Sequence, residues 1–123
     1  DTRKNKRQKR GIINKMSESN SYYNRIFSKA ESVCSKCAME ATGRSFDVSE
    51  LYSGKTKTML VVSVARSLTF VVLHDIYGIT YRRIAMRADM SEKAVMKSVS
   101  KARMYRFSDT IYNRAYKLIN QEL

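Results

Sequence analysis

The stretch GITYRRIAMRADMSEKAVMKSVSKAR, residues 78–103, decides the fold. Its apolar positions Ile84, Ala85, Ala88, Met90, Val95, Val99 and Ala102 fall at helical spacing on either side of one break, which predicts two short helices joined by a tight turn. Thr80 and Ser91 stand where N-cap oxygens belong, so the first helix runs through Arg87 and the second to about Tyr105. Small Ala85 permits a close crossing, and Met90 plugs the turn. This is a helix-turn-helix pattern. Opposite its core stripe the second helix carries Lys93, Met96, Lys97 and Ser100 at i, i+3, i+4 and i+7, a strip of the width a major groove admits.

Working towards the N-terminus, Met59 to Tyr77 is apolar nearly all round and ends in Gly78. It is rich in β-branched residues, yet it is too long for one strand and lacks an internal turn, so it reads as a buried helix that includes Ile76. Residues 44–57 form a connector in which Asp47 caps a brief turn holding Val48, Leu51 and Tyr52. Tyr23, Ile26, Phe27, Ala30, Val33, Cys34, Cys37, Ala38 and Ala41 make one helical stripe that Gly43 can close. Beyond the central stretch, Ser108 is positioned to cap a last helix with Ile111, Tyr112, Ala115, Leu118 and Ile119 inside, and Phe107 to staple it. The expected fold is all-α, a compact bundle of about five helices containing the helix-turn-helix over residues 20–123. A basic, disordered arm over residues 1–19 precedes it.

Charge gives the helices a partner. The 123 residues hold 24 Lys+Arg against 11 Asp+Glu, a net charge of +13. Arg3, Lys4, Lys6, Arg7, Lys9 and Arg10 against Asp1 leave +5 on the arm, and eight basic residues against Asp89 and Glu92 leave +6 on residues 78–106. Concentrating the excess on an arm and one segment is the pattern of a polyanion footprint. With 43% hydrophobic residues and no Pro, the chain can still bury a helical core. No apolar run approaches the ~18 residues of a membrane span, and no apolar h-region follows the basic start, so neither a membrane nor a secretory reading is expected. The start at Asp1 instead of Met reads as a piece of a longer protein, with partner domains expected outside it.

Double-stranded DNA is therefore the expected partner, with no membrane and no small-molecule substrate. Lys93 and Lys97 suit guanine O6/N7, Met96 a thymine methyl, Ser100 a base or phosphate, and Ser91 stands at the same groove-facing end. Arg82, Arg83, Arg87, Lys101 and Arg103 would hold phosphates, with Lys55 and Lys57 on the connector.

Gly78, Thr80, Ile84, Ala85, Met90-Ser91, Val95, Val99 and Ala102-Arg103 look like the helix-turn-helix of sigma-factor region 4. A longer match, Asp47 to Leu51, Lys55 to Lys57, Val64-Ala65-Arg66 opening Phe70 to Ile76, then Gly78 to Arg103, resembles the C-terminal DNA-binding domain of the bacterial replication initiator DnaA. That resemblance covers about residues 21–121. It implies a Trp-repressor-like fold, duplex binding, and Arg66 near the DNA backbone or minor groove. The family's box-reading Arg-Asp-His-Ser/Thr would fall on Met90, Ser91, Glu92 and Lys93, none of which matches, and Val64 replaces one of two basic-loop arginines. The resemblance thus extends to replication or transcription control in a bacterium, phage or mobile element, cytoplasmic and nucleoid-associated, but not to reading that box. The basic arm resembles minor-groove-tracking arms, with a plain solubilising tail as the alternative reading. Alternative readings are a sigma region 4-like regulator and a structural or packaging protein that binds nucleic acid unspecifically.

Cys34-x-x-Cys37 invites zinc, but four ligands are needed and His74 is the lone histidine, so no metal or other cofactor is expected. Tyr105, Tyr112 and Tyr116 are secondary phosphate candidates. Without a phosphate-cradling glycine loop or paired carboxylates, no enzyme is expected.

Overall fold

A computed structural model describes the backbone of residues 2–123 and the side chains of residues 21–123. Its helices are α1 (Thr2–Thr42), α2 (Leu60–Val71), α3 (Tyr81–Ala88), α4 (Glu92–Tyr105) and α5 (Thr110–Glu122). A 3-10 turn at Val48–Glu50 precedes α2, and a π-helical segment, Val72–Ile76, extends it. The architecture is an all-α bundle with no strand among the described residues.

The nearly all-round hydrophobicity of α2 explains its place. A helix with no polar face has to be enclosed. Nine of its twelve residues are buried, and α1 packs on one side of it and α4 on another. Val61, Val62, Val64, Leu68, Phe70 and Val71 all lie in the core. At ~1.5–3 kcal/mol for each such side chain fully buried, α2 dominates the apolar stabilisation. Two of the buried hydroxyls on α2 are paired: that of Thr69 donates to the Ala65 carbonyl at 2.6 Å, and Ser67 shares a hydrogen bond of 2.9 Å with Ser98 of α4.

Phe27, Ala30, Cys34, Cys37, Ala38 and Ala41 form the buried stripe of α1, and Gly43 closes the helix at φ +68. That conformation costs glycine little and most other residues 1–2 kcal/mol or so. The helix begins at Thr2, however, and not near residue 20. Residues 2–20 hold Lys, Arg, Gln, Glu and Met without proline, so helix propensity carries through a stretch whose charge density suggests a solvated arm. The basic side chains Arg3, Lys4, Lys6, Arg7, Lys9 and Arg10 lie outside the described side chains.

At its far end α2 widens into the π segment, then stops at Gly78 (φ +68). His74 Nδ1 lies 2.9 Å from the Ile79 carbonyl, and its ring stacks on Tyr81 at 3.9 Å. The two contacts fix how the chain turns from α2 into α3. The last helix starts one residue later than Ser108 suggests: the Asp109 carboxylate accepts from the Tyr112 N–H at 3.0 Å, while the Ser108 hydroxyl donates back to Met104. Phe107 does not staple α5. It stands 80% exposed.

Candidate nucleic-acid interface

The α3–α4 hairpin is set by local chemistry. Thr80 Oγ1 accepts from the Arg83 N–H at 3.2 Å and Ser91 Oγ from the Ala94 N–H at 3.1 Å, so both helices begin on hydroxyl caps. Between them Asp89 adopts the left-handed conformation, φ 54 and ψ 50, and the Met90 N–H returns to the Ala85 carbonyl at 3.0 Å. Met90 packs half-buried against the core, and Ala85 is buried where the helices meet. Ser91 is therefore a cap first, with only its hydroxyl hydrogen left to offer a base.

Val95, Val99 and Ala102 anchor one side of α4 to the core, and all three are fully buried. The opposite side presents Lys93, Met96, Lys97 and Ser100, all exposed. Neither lysine pairs with a carboxylate among the described residues. Arg82 projects from α3 nearby, also exposed and unpaired among the described residues. Arg83 lies 3.9 Å over the Tyr23 ring, a cation–π contact that orients the guanidinium while leaving it in solvent.

Four basic residues expected at phosphates have partners within the protein. Arg66 donates from Nε to the Leu51 carbonyl and from Nη2 to that of Ser53, and its partial burial lowers its pKa. It braces the connector. At the resemblance's second basic position, Val64 is part of the α2 core. Arg87 makes two hydrogen bonds to the buried Glu31 carboxylate, at 3.0 and 2.9 Å, and those bonds are the main reason its pKa rises. Arg103 grips Asp75 through two bonds. Lys101 donates to Ser63 Oγ at 3.0 Å on the surface.

Lys55 and Lys57 are exposed on the braced connector, where the Thr56 hydroxyl donates to the Glu50 carbonyl at 2.6 Å. Asp47 caps the 3-10 turn by accepting from the Ser49 N–H. Arg66 thus contributes indirectly, by shaping the loop that carries two free lysines. Of the tyrosines, Tyr112 is buried, and Tyr116 lies half-buried beneath the Arg106 guanidinium at 4.9 Å.

Sequence reading missed Glu31, Tyr52 and Asp75 as organising residues. Glu31 carried a signal: it interrupts the apolar stripe between Phe27, Ala30 and Cys34, and a carboxylate at such a position needs a partner. Tyr52 supplies one, donating to Glu31 at 2.6 Å; burial first, then the neighbouring carboxylate, raises its pKa. Cys34 and Cys37 are both free and buried, and no group of three or more His, Cys, Asp or Glu among the described residues is arranged to hold a metal. Among the same residues no helix is long and apolar enough to cross a membrane. Comparison of the chain with protein-family profiles, with curated proteins and with solved structures returns no match.

Proposed function

We propose that this protein binds double-stranded DNA, with α3, the turn and α4 acting as a helix-turn-helix and α4 lying in the major groove. The observation that carries this reading is selective satisfaction of charge. Arg66, Arg87 and Arg103 are tied to internal acceptors, whereas Lys93 and Lys97 stay exposed on one face without a counter-charge among the described residues. An unpaired basic strip on a rigid, capped helix suits a polyanion, and a B-form major groove of ~12 Å admits one helix. Lys93 and Lys97 face guanine edges, Met96 a thymine methyl and Ser100 a base or phosphate. Arg82, Arg83, Lys55 and Lys57 hold the backbone. The resemblance to the initiator's C-terminal domain and to sigma region 4 supports a role in replication or transcription control in a bacterium or mobile element.

A second reading, unspecific packing of nucleic acid, is favoured by one feature of the same strip. It contains no Arg, whose rigid guanidinium fork fits guanine, and no Asn or Gln, whose amides fit adenine; its basic residues are flexible lysines. Selection from a random duplex library separates the two, since an enriched motif supports a specific reader and a flat library a packing protein. Both readings predict that fluorescent random duplex binds at low salt with affinity falling as salt rises. Binding that is absent, or indifferent to salt, overturns both.

A further inference from the structure

Two apolar residues that sequence periodicity assigns to the interior end up side by side at the surface. Ile76 ends a segment whose residues Val61 to Leu73 are largely enclosed, yet it is 57% exposed. The π-helical turn at Val72–Ile76 accounts for this, because its wider coil rotates the last residues out of register with the α2 core face. Phe107 is freed because Asp109, and not Ser108, starts α5. Both residues line one cavity of about 340 Å³ between the end of α2, the end of α4 and α5. Its floor is apolar, formed by Val72 and Ile119.

Charge surrounds this apolar floor on one side. Arg103 and Arg106 both line the cavity, and Asp75, its single acidic lining residue, is already held by Arg103. Arg106 lies over the rings of Phe107 and Tyr116, at 5.1 and 4.9 Å, with no carboxylate partner among the described residues. Seven residues separate Phe107 from Ser100, the near end of the α4 strip, so at 1.5 Å per residue the cavity lies ~10 Å beyond the strip along the helix direction.

We infer that this groove docks an acidic segment of a partner protein, which inserts an aliphatic or aromatic anchor between Ile76 and Phe107 and sets a carboxylate against Arg106. The apolar walls supply the anchor's pocket, and the unpaired guanidinium makes an acidic flank the favourable one. Partners of this chemistry fit a chain of net charge +13, which a basic segment would not approach.

The test is selection of a random peptide display library on the full chain, with counter-selection on the Phe107→Ser and Ile76→Ser variants. Both positions are exposed, so the variants should keep the parent's thermal melt and duplex affinity. The expected result is enrichment of peptides with Asp or Glu flanking a Leu, Phe or Trp. Binding of these peptides should fall about tenfold or more in either variant and in Arg106→Glu. Failure to enrich any peptide overturns the inference, as do enriched peptides that are neutral or basic or that bind the variants equally well. If sedimentation shows the parent to be a dimer that Phe107→Ser converts to monomer, a second copy is the occupant and the inference is wrong. None of these outcomes depends on whether the protein binds DNA.

Discussion

Arg87 on α3 reaches Glu31 on α1 through two hydrogen bonds of 3.0 and 2.9 Å, joining residues 56 positions apart. Glu31 is 8% exposed and receives a third bond from Tyr52, so the helix that opens the α3–α4 hairpin is tied to α1 and the connector at one carboxylate. Removing one member of such a pair leaves an uncompensated charge in a poorly solvated place. Arg87→Ala should lower unfolding free energy by about 2–4 kcal/mol in a urea titration. A loss below ~0.5 kcal/mol, the range of ordinary surface substitutions, would mean that the pair contributes nothing to the fold.

The turn itself offers a second test. Asp89 holds φ 54, a conformation that favours glycine and penalises β-branched residues. Asp89→Gly should stabilise the protein by about 0.5 kcal/mol, and Asp89→Val should destabilise it by ~1–2 kcal/mol, read as opposite shifts in melting temperature. Equal shifts in both variants would place the turn in another conformation.

Local chemistry was legible in the sequence because each signal needs only a few neighbouring residues. Thr80, Ser91 and Asp47 cap helices or turns as their positions suggest, Gly43 and Gly78 terminate helices at positive φ, and Val95, Val99 and Ala102 face the core. Contacts between distant residues were not legible. The partners of Arg66, Arg87 and Arg103 lie 13–15, 56 and 28 residues away, and nothing in a basic residue's own surroundings says whether it will meet water, phosphate or a folded-back carboxylate. Ile76 and Phe107 were misplaced for a related reason: a change from α- to π-helical winding and a one-residue shift of a cap turn a face without altering the hydrophobic pattern.

Stability should depend on alkaline pH through the two thiols. Burial, reinforced by the neighbouring thiol, holds the Cys34 pKa far above 9.0, and burial pushes that of Cys37 up to about 11. The folded state keeps protons that the unfolded chain releases, so the contribution is intact below pH 9 and is lost as pH rises towards 11 and beyond. Urea midpoints should decline across that window, less steeply in a Cys34→Ala/Cys37→Ala double variant. Both thiols should also resist alkylation until the protein unfolds. Rapid labelling of the native protein at pH 8 would show that the α1 stripe is open.

Structural and DNA-facing basic residues should separate cleanly. Arg66→Ala removes two hydrogen bonds to the connector and should lower stability by about 1–3 kcal/mol, with a smaller effect on the duplex affinity of the folded protein. Lys97→Ala should leave the melt within ~0.5 kcal/mol of the parent yet cost ~1–3 kcal/mol of binding on a selected site. Arg82→Ala should weaken all duplexes alike. Interchanged phenotypes, with Lys97→Ala unfolding the protein and Arg66→Ala sparing it, would reverse the assignment.

The proposed DNA contact lies on the exposed face of α4. Its most direct test is the salt dependence of duplex affinity for the parent protein and for Lys93→Ala/Lys97→Ala, measured by fluorescence anisotropy. The claim predicts a linear fall of log K with log salt in the parent, and a slope shallower by ~1–2 in the double variant, as expected when two cations seated in the groove no longer help displace the duplex's condensed counterions. Parent and double variant binding with the same affinity and the same slope at every salt concentration would contradict it.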